Sequence, residues 1–587
     1  MLHNEIDNVV GQISETNQEL TSQFLTSNLK TMQDINPVLF NQELIDHWQN
    51  FFEKNTNYLN EQIMFANSMM RLFNYTTLRS FGFNPEPVVL PEKSDRRFFD
   101  ESWNECAVYD HIKQFYLLIS KYLMETAQCT THLDDKIQSQ YDFYIKQWLD
   151  ALSPANFAAT NPQVLKQTLD TKGENLLQGA QALIEDFARG KGKKLMTRMT
   201  DFESFEVGEN IATTPGKVIY QNDLMQLIQY EASTKTVYET PLLICPPWIN
   251  KFYILDLRNE NSFIKWAVDQ GHTVFVISWI NPDESHANTE FEDYMTKGLL
   301  TAIDKVKEET GETAVNTIGY CIGGTLMAAT NAYLAKKRKR PINTTTYFTT
   351  MVDFKDPGDL GVFIDDMQLA KLDNDMAKDG YLDGSSMATV FNMLRANDLI
   401  WPFFINNYLL GKEPTAFDLL YWNSDSTRLP AKTHSFYLRQ CYLNNLLKEP
   451  NGIELDGTGI DISKIKTPTY FISTREDHIT PWKSTYAGAQ LMSGPVRFVL
   501  GGSGHIAGII NPPVKNKYGY WTNDGLDEEP DNWLENADYQ EGSWWPDWHK
   551  WVSKQSGKKI QARKPGENLK IIEDAPGSYV KHRIVPD

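Results

Sequence analysis

The strongest chemical signal in the chain is Gly319-Tyr320-Cys321-Ile322-Gly323-Gly324. The apolar run AVNTI precedes it, and TLMAATNAYLAKK, a helical pattern, follows. Strand, sharp turn and helix with a nucleophile at the turn make a nucleophile elbow, here with cysteine where serine is usual. Glycines beside the nucleophile remove side chains that would clash in so tight a turn, and the backbone there is held in strain. A helix that begins at the sulfur favours negative charge, and the thiolate is the nucleophilic form. With five cysteines and 34 glycines in 587 residues, chance would produce roughly 0.02 matches to Gly-x-Cys-x-Gly. The competing role for Cys321 is a buried structural thiol, which is common. The flanking strand and helix favour catalysis. Cys106, Cys129, Cys245 and Cys441 have no such context and read as core or surface residues.

A nucleophile elbow needs a base, an acid and an oxyanion hole. In this arrangement the acid and then the histidine follow the nucleophile along the chain. The run TPTYFIS leads into Thr474-Arg475-Glu476-Asp477-His478, and VRFVL leads into Gly501-Gly502-Ser503-Gly504-His505. Asp477 and His505 therefore fit the acid and base positions, with His505 taking the thiol proton and its other nitrogen facing Asp477. His478 is the rival base, but it adjoins the acid and should point elsewhere. Asp353, at the end of the strand after the elbow, is the rival acid. Backbone N–H groups of Ile322 and of the loop after TPLLICPP, near Trp248 or Ile249, are the oxyanion donors to expect.

These residues require a particular scaffold. TPLLICPPWI, HTVFVISW, AVNTIGY, TTYFTTMV, TPTYFIS and VRFVL read as strands, and 259–270, 290–310, 322–338 and 481–492 as the helices between them. The alternation predicts an α/β fold with a parallel sheet covered on both faces. Residues 355–445 interrupt it with a helical, aromatic insertion, read as a cap over the carboxyl edge of the sheet, where α/β active sites lie. Tyr408, Tyr421 and Trp422 of the insertion are candidates for excluding water and lining a tunnel.

Residues 1–200 read as a mostly helical N-terminal domain, and 201–587 as the catalytic domain. Helical spacing is seen in Phe40, Leu44, Trp48 and Phe51; in Ile63, Ala66, Met70 and Phe73; in Ile112, Phe115, Ile119 and Leu123; and in Tyr141, Ile145, Trp148 and Leu152. Most of these stripes read as core and helix–helix packing. The first ones could also meet a partner helix or an apolar surface.

Bulk properties narrow the function class. Net charge is −20, which argues against a nucleic-acid binder, since that needs a basic footprint. An odd number of scattered cysteines without CxxC argues against a disulfide framework or a zinc site and fits a reducing cytoplasm. No run reaches the roughly 18 apolar residues that span a bilayer. The basic run Lys336–Arg340 sits at the far end of the helix that starts at Cys321, ~22 Å away at ~1.5 Å per residue, and reads as a solvated helix end. The acidic stretch 524–541 reads as a solvated loop.

Beyond single residues, GYCIGG resembles the lipase-like box of polyhydroxyalkanoate synthases. SDRRFFDESW, SPANFAATNP, PPWINKFYILDL, QGHTVFVISWINP, FDLLYWNSDSTRLP, REDHITPW, GGSGHIAGIINPP and EGSWWPDW are similar to that family's motifs and stand in its order. Ile280, in SWINP, departs from an arginine common there. A single chain with its own N-terminal domain, and the box itself, resemble class I of the family. The resemblance implies an α/β-hydrolase-type acyltransferase that polymerises short (R)-3-hydroxyacyl-CoA through a thioester on Cys321, with Asp477 and His505 completing the triad. It implies no metal or prosthetic group, and CoA only as a product. It also makes Arg395 a candidate contact for CoA phosphates, although an arginine on a cap helix is more often a salt-bridge partner. A homodimer and association with polyester granules and granule-associated proteins in the cytoplasm are further implications. Two rivals stand beside it. A cysteine hydrolase or thioesterase would share the triad and use water as acceptor. A granule-surface scaffold would keep the elbow as a relic, but three triad candidates in order weigh against it.

Overall fold

The computed structural model of the protein describes residues 56–128, 135–192 and 194–584. The described residues divide into two compact units, one of residues up to Asp201 with Val390–Thr415, the other of Phe202–Thr389 with residues 416–584. The middle of the expected cap, Val390–Thr415, thus groups with the N-terminal unit rather than with the sheet.

The first unit is built on helices α1 (Thr56–Ser80), α2 (Ala107–Gln128), α3 (Asp135–Ala151), α4 (Pro162–Asp170) and α5 (Glu174–Arg189). The stripe Phe40, Leu44, Trp48 and Phe51 lies outside the described residues. The stripe Ile63, Met70 and Phe73 is not core: these side chains are 52%, 64% and 70% exposed. Phe115, Leu123, Trp148 and Leu152 are exposed as well. The reason is that the inner faces carry polar groups that an apolar count passes over. The buried residues of α1 and α2 include Asp110, Lys113 and Gln114 beside Leu72, Tyr75, Tyr116 and Leu118. Asp110 accepts from the Tyr75 hydroxyl at 2.5 Å and pairs with Lys113 at 2.9 Å. Arg97 pairs with Asp95 and Asp150 at 2.8 and 3.0 Å. Buried charges need such partners.

The second unit is organised by an eleven-stranded sheet. Its strands in chain order are β1 (Gly216–Gln221), β2 (Met225–Tyr230), β3 (Leu242–Cys245), β4 (Val274–Trp279), β5 (Val315–Tyr320), β6 (Ile342–Phe348), β7 (Thr469–Thr474), β8 (Val496–Gly501), β9 (Tyr520–Thr522), β10 (Asp538–Gln540) and β11 (Glu573–Asp574). The spatial order is β10-β9-β8-β7-β6-β5-β3-β4-β2-β1-β11. From β4 to β8 every neighbouring pair is parallel. Outside this centre both edges are antiparallel.

Alternation along the strands sorts side chains into two cores. Leu243, Cys245, Phe275 and Ile277 join one; Leu242, Ile244, Val274 and Val276 join the other. Successive residues of a strand point to opposite faces, so both faces must be covered. Helices α6 (Phe263–Asp269) and α11 (Trp545–Ser553) cover the second core. α7 (Thr301–Thr310), α8 (Ile322–Lys336) and residues of α10 (Trp482–Gln490) cover the first. α9 (Asp366–Asp379) belongs to the insertion after β6.

The elbow between β5 and α8 is tight enough to exclude side chains. A Cβ on Gly319 would lie 2.5 Å from the Gly324 Cα, and one on Gly324 would lie 1.9 Å from Thr350 Oγ1. Thr350 is itself tied to the Phe348 carbonyl at 3.0 Å, so it cannot swing away freely. Gly324→Ala should therefore lower the midpoint of urea unfolding. Overpacking costs about 1–3 kcal/mol, more than the ~1 kcal/mol that alanine gains over glycine in a helix. A midpoint equal to or above that of the parent would contradict this packing.

Candidate active site

Cys321 stands at the N-terminus of α8 with φ 51° and ψ −123°, a backbone conformation that L residues rarely adopt. Such a residue stores about 1–3 kcal/mol and persists only where its surroundings over-determine it. Here the Cys321 N–H donates to the Phe348 carbonyl of β6 at 2.9 Å, and the Cys321 carbonyl accepts from Gly324 and Thr325. The side chain is partly exposed, unlike buried Cys245 and Cys441.

His505 and Asp477 meet on the same side of the sheet, on the loops after β8 and β7. His505 Nδ1 and Asp477 Oδ2 are 2.7 Å apart, and both residues are buried. Cys321 lies within electrostatic reach of the His505 ring. The structure thus places a hydrogen-bonded His505–Asp477 pair near Cys321. Asp353, the rival acid, instead accepts from Lys355 N–H and Asn445 Nδ2 at 2.9 and 2.8 Å.

Several further residues hold these groups in place. Asp477 accepts from the N–H groups of Ile479 and Thr480 at 2.9 and 2.8 Å, and from the Thr480 hydroxyl at 2.8 Å. The Tyr320 hydroxyl donates to the His505 carbonyl at 3.3 Å. Trp544 and Trp545 donate indole N–H groups to the carbonyls of Gly508 and Ile509, each at 2.9 Å, and so fasten the loop that carries His505. Single hydroxyls leave no periodic trace in a sequence; the paired tryptophans of EGSWWPDW were the visible signal. Tyr437, which is buried, and Tyr442, partly buried, pack with ring centroids 5.3 Å apart and also lie within electrostatic reach of Cys321.

Ile322 is the first residue of α8, which puts its N–H beside the sulfur-bearing residue. The loop after β3 packs on the same turn: a Cβ on Gly323 would lie 2.5 and 2.6 Å from the carbonyl oxygens of Cys245 and Pro246. Ile249 follows in that loop. Arg395 belongs to the first unit, begins the short turn Ala396–Leu399, and bonds to Asp398 through Nε at 2.8 Å. The aromatic residues expected to line a tunnel are used in packing. Tyr408 belongs to the first unit and donates to Asp186 at 2.7 Å; Tyr421 packs on Phe205; Trp422 donates to the Lys251 carbonyl at 2.7 Å.

Residues 94–267 match the family described as the N-terminus of poly-beta-hydroxybutyrate polymerase (PhaC), and residues 240–512 match the alpha/beta hydrolase fold. The poly(3-hydroxyalkanoate) polymerase subunit PhaC of Rhizobium etli is 51% identical over 517 residues, covering 88% of this chain and 80% of that one. The chain belongs to the poly(3-hydroxyalkanoate) polymerase family. The Methylorubrum extorquens polymerase is 48% identical, covering 89% of this chain and 86% of its own. The PhaC subunit of Cupriavidus necator is 43% identical, covering 83% of each chain.

In this member of the polymerase family the buried pair has strong electrostatics. Burial alone would lower the His505 pKa, but the Asp477 carboxylate, and then Cys321, raise it from 6.5 to about 10. Burial would raise Asp477; the positive ring of His505 and the Thr480 hydrogen bonds outweigh it and hold the carboxyl below its usual range. A histidine whose pKa is raised by folding stabilises the fold fully below its unfolded pKa, and that contribution disappears as pH rises through the folded value. The difference in thermal midpoint between the parent and His505→Gln should therefore shift steadily against the parent between pH 6.5 and about 10. A difference independent of pH over that window would contradict the charged pair.

Proposed function

We propose that this chain polymerises short (R)-3-hydroxyacyl groups from their CoA thioesters into polyhydroxyalkanoate, with release of CoA, through a thioester on Cys321. The observation that carries this reading is the hydrogen-bonded His505–Asp477 pair within electrostatic reach of Cys321 on a strained elbow. Family membership and the names of the relatives, poly(3-hydroxyalkanoate) polymerases, support the choice of product.

The chemistry follows from these residues. His505 holds the thiol proton as Cys321 attacks the thioester carbonyl. The oxyanion that forms is met by the N–H groups of Ile322 and Ile249. CoA leaves as a thiol with the proton from His505. One thioester replaces another, so the acyl-enzyme retains the group-transfer free energy. The 3-hydroxyl of a second acyl unit then attacks, an oxygen ester forms, and the Cys321 sulfur is released and reprotonated. Either His505 acts a second time as base for that hydroxyl, or Asp477 acts on it more directly. Water must be kept from the acyl-enzyme, or hydrolysis competes. No step calls for a metal or a prosthetic group. The same reading makes the protein a cytoplasmic homodimer working at the surface of polyester granules, beside granule-associated proteins. Among the described residues no helix is long and apolar enough to cross a membrane.

The test is incubation of the purified protein with 3-hydroxybutyryl-CoA, beside Cys321→Ala, assaying free CoA and insoluble polyester. CoA and polyester should appear together, and both should fall more than ~10³-fold in the variant, as for removal of other catalytic nucleophiles. CoA with only soluble 3-hydroxybutyrate would make the protein a thioesterase. Unchanged activity in Cys321→Ala would remove the nucleophile.

A further inference from the structure

The loop after β3 is held by its carbonyl groups. Pro246 O accepts from Trp279 Nε1 at 2.9 Å, Trp248 O from the Thr427 hydroxyl at 2.8 Å, Ile249 O from the same hydroxyl, and Lys251 O from Trp422 Nε1 at 2.7 Å. Four of the six carbonyls from Pro246 to Lys251 are thus bound by side chains. Two of the three donors, Trp422 and Thr427, belong to the insertion after β6. Asn250 also forms an isolated antiparallel bridge with Ser426. Beneath them Lys251 Nζ pairs with Asp425 at 2.7 Å, and Tyr253 donates to the other Asp425 oxygen at 2.9 Å. Lys251, Asp425 and Thr427 are all buried.

Peptide planarity turns these contacts into a statement about donors. In a trans peptide the N–H points opposite to the preceding carbonyl. Fixing Trp248 O toward Thr427 therefore fixes the Ile249 N–H away from it, and fixing Ile249 O does the same for Asn250. The loop begins against Gly323, two residues after the nucleophile, at the Cys245 and Pro246 carbonyls. A donor aimed at developing charge works only if its direction is set before the reaction.

We infer that Thr427 is a positioning residue for the oxyanion hole: its single hydroxyl sets the peptide planes on either side of Ile249, so that the insertion controls how well the loop receives the oxyanion. This rests on the reading of Cys321 as an acyl-accepting nucleophile. Trp422, Asp425 and Lys251 support the same loop. A shift of the 422–427 segment would weaken oxyanion binding without touching Cys321, His505 or Asp477.

The experiment compares Thr427→Val, which keeps the shape and removes the hydroxyl, with Thr427→Ser, which keeps the hydroxyl. Two rates at Cys321 are measured in the full-length protein. One is acylation by 3-hydroxybutyryl-CoA in a single turnover. The other is alkylation by iodoacetamide, a displacement at saturated carbon that forms no oxyanion. Thr427→Val should acylate on the order of 10²-fold more slowly, the size expected of a misplaced catalytic group. Its alkylation rate should be unchanged, and Thr427→Ser should restore acylation. Wild-type acylation in Thr427→Val would overturn the inference, and so would equal loss of both rates, which marks general damage to the site. If Thr427→Val does not fold, Thr427→Ala removes the same hydroxyl and carries the same expectation. Absence of any acyl adduct on Cys321 in the parent, with alkylation intact, would instead refute the nucleophile on which the inference stands.

Discussion

The rest of the site depends on a steric constraint at the turn between β5 and α8, where three glycines let neighbouring elements pack directly onto the backbone. Gly319 admits the start of α8, Gly324 admits Thr350, and Gly323 admits the carbonyls of the loop after β3. A side chain at any of these places would push apart the elements that must converge on Cys321. Cys321 sits at this crowded turn with a positive φ of 51°. The parallel strands on either side supply the rigidity that keeps a strained residue strained.

Around that turn the loops at the carboxyl ends of the strands are fastened by polar contacts rather than by apolar packing. Thr480 and two N–H groups orient Asp477; two indoles hold the His505 loop; Thr427 and Trp422 hold the loop after β3. Preorganised partners of this kind let a buried carboxylate and a buried imidazole keep opposite charges. The surroundings of Cys321 are therefore electrostatic as well as steric, with His505 charged against Asp477 on one side and α8 beginning on the other.

Much of this was legible before any coordinates. All six expected strands lie in the parallel centre of the sheet, because strands buried on both faces read as near-continuous runs of apolar and β-branched residues. The elbow was legible because glycine has few substitutes there. The edges of the sheet were not. β2 buries Gln226 and Gln229, whose partners include residues of the C-terminal segment more than 300 residues away. Apolar spacing also misread the N-terminal helices, since charged residues such as Asp110 and Lys113 face inward while Phe73 faces out. Tyr408, Tyr421 and Trp422 look like a pocket lining by composition, but their hydroxyl, ring and indole are taken up by Asp186, Phe205 and Lys251. Thr480 and Thr427 could not be singled out among the chain's many threonines, because a positioning hydroxyl is defined by its partners and not by its neighbours in sequence.

The central claim is that the growing chemistry passes through the sulfur at the elbow. The most direct measurement is an acid quench of the full-length protein during its first turnover with 3-hydroxybutyryl-CoA, followed by mass mapping of its peptides. The account predicts an acyl group on the Cys321 peptide, labile to hydroxylamine as a thioester is, that appears before insoluble polyester and is absent from the other four cysteines. Polyester that accumulates while Cys321 stays unmodified, or an adduct on another side chain, would contradict it.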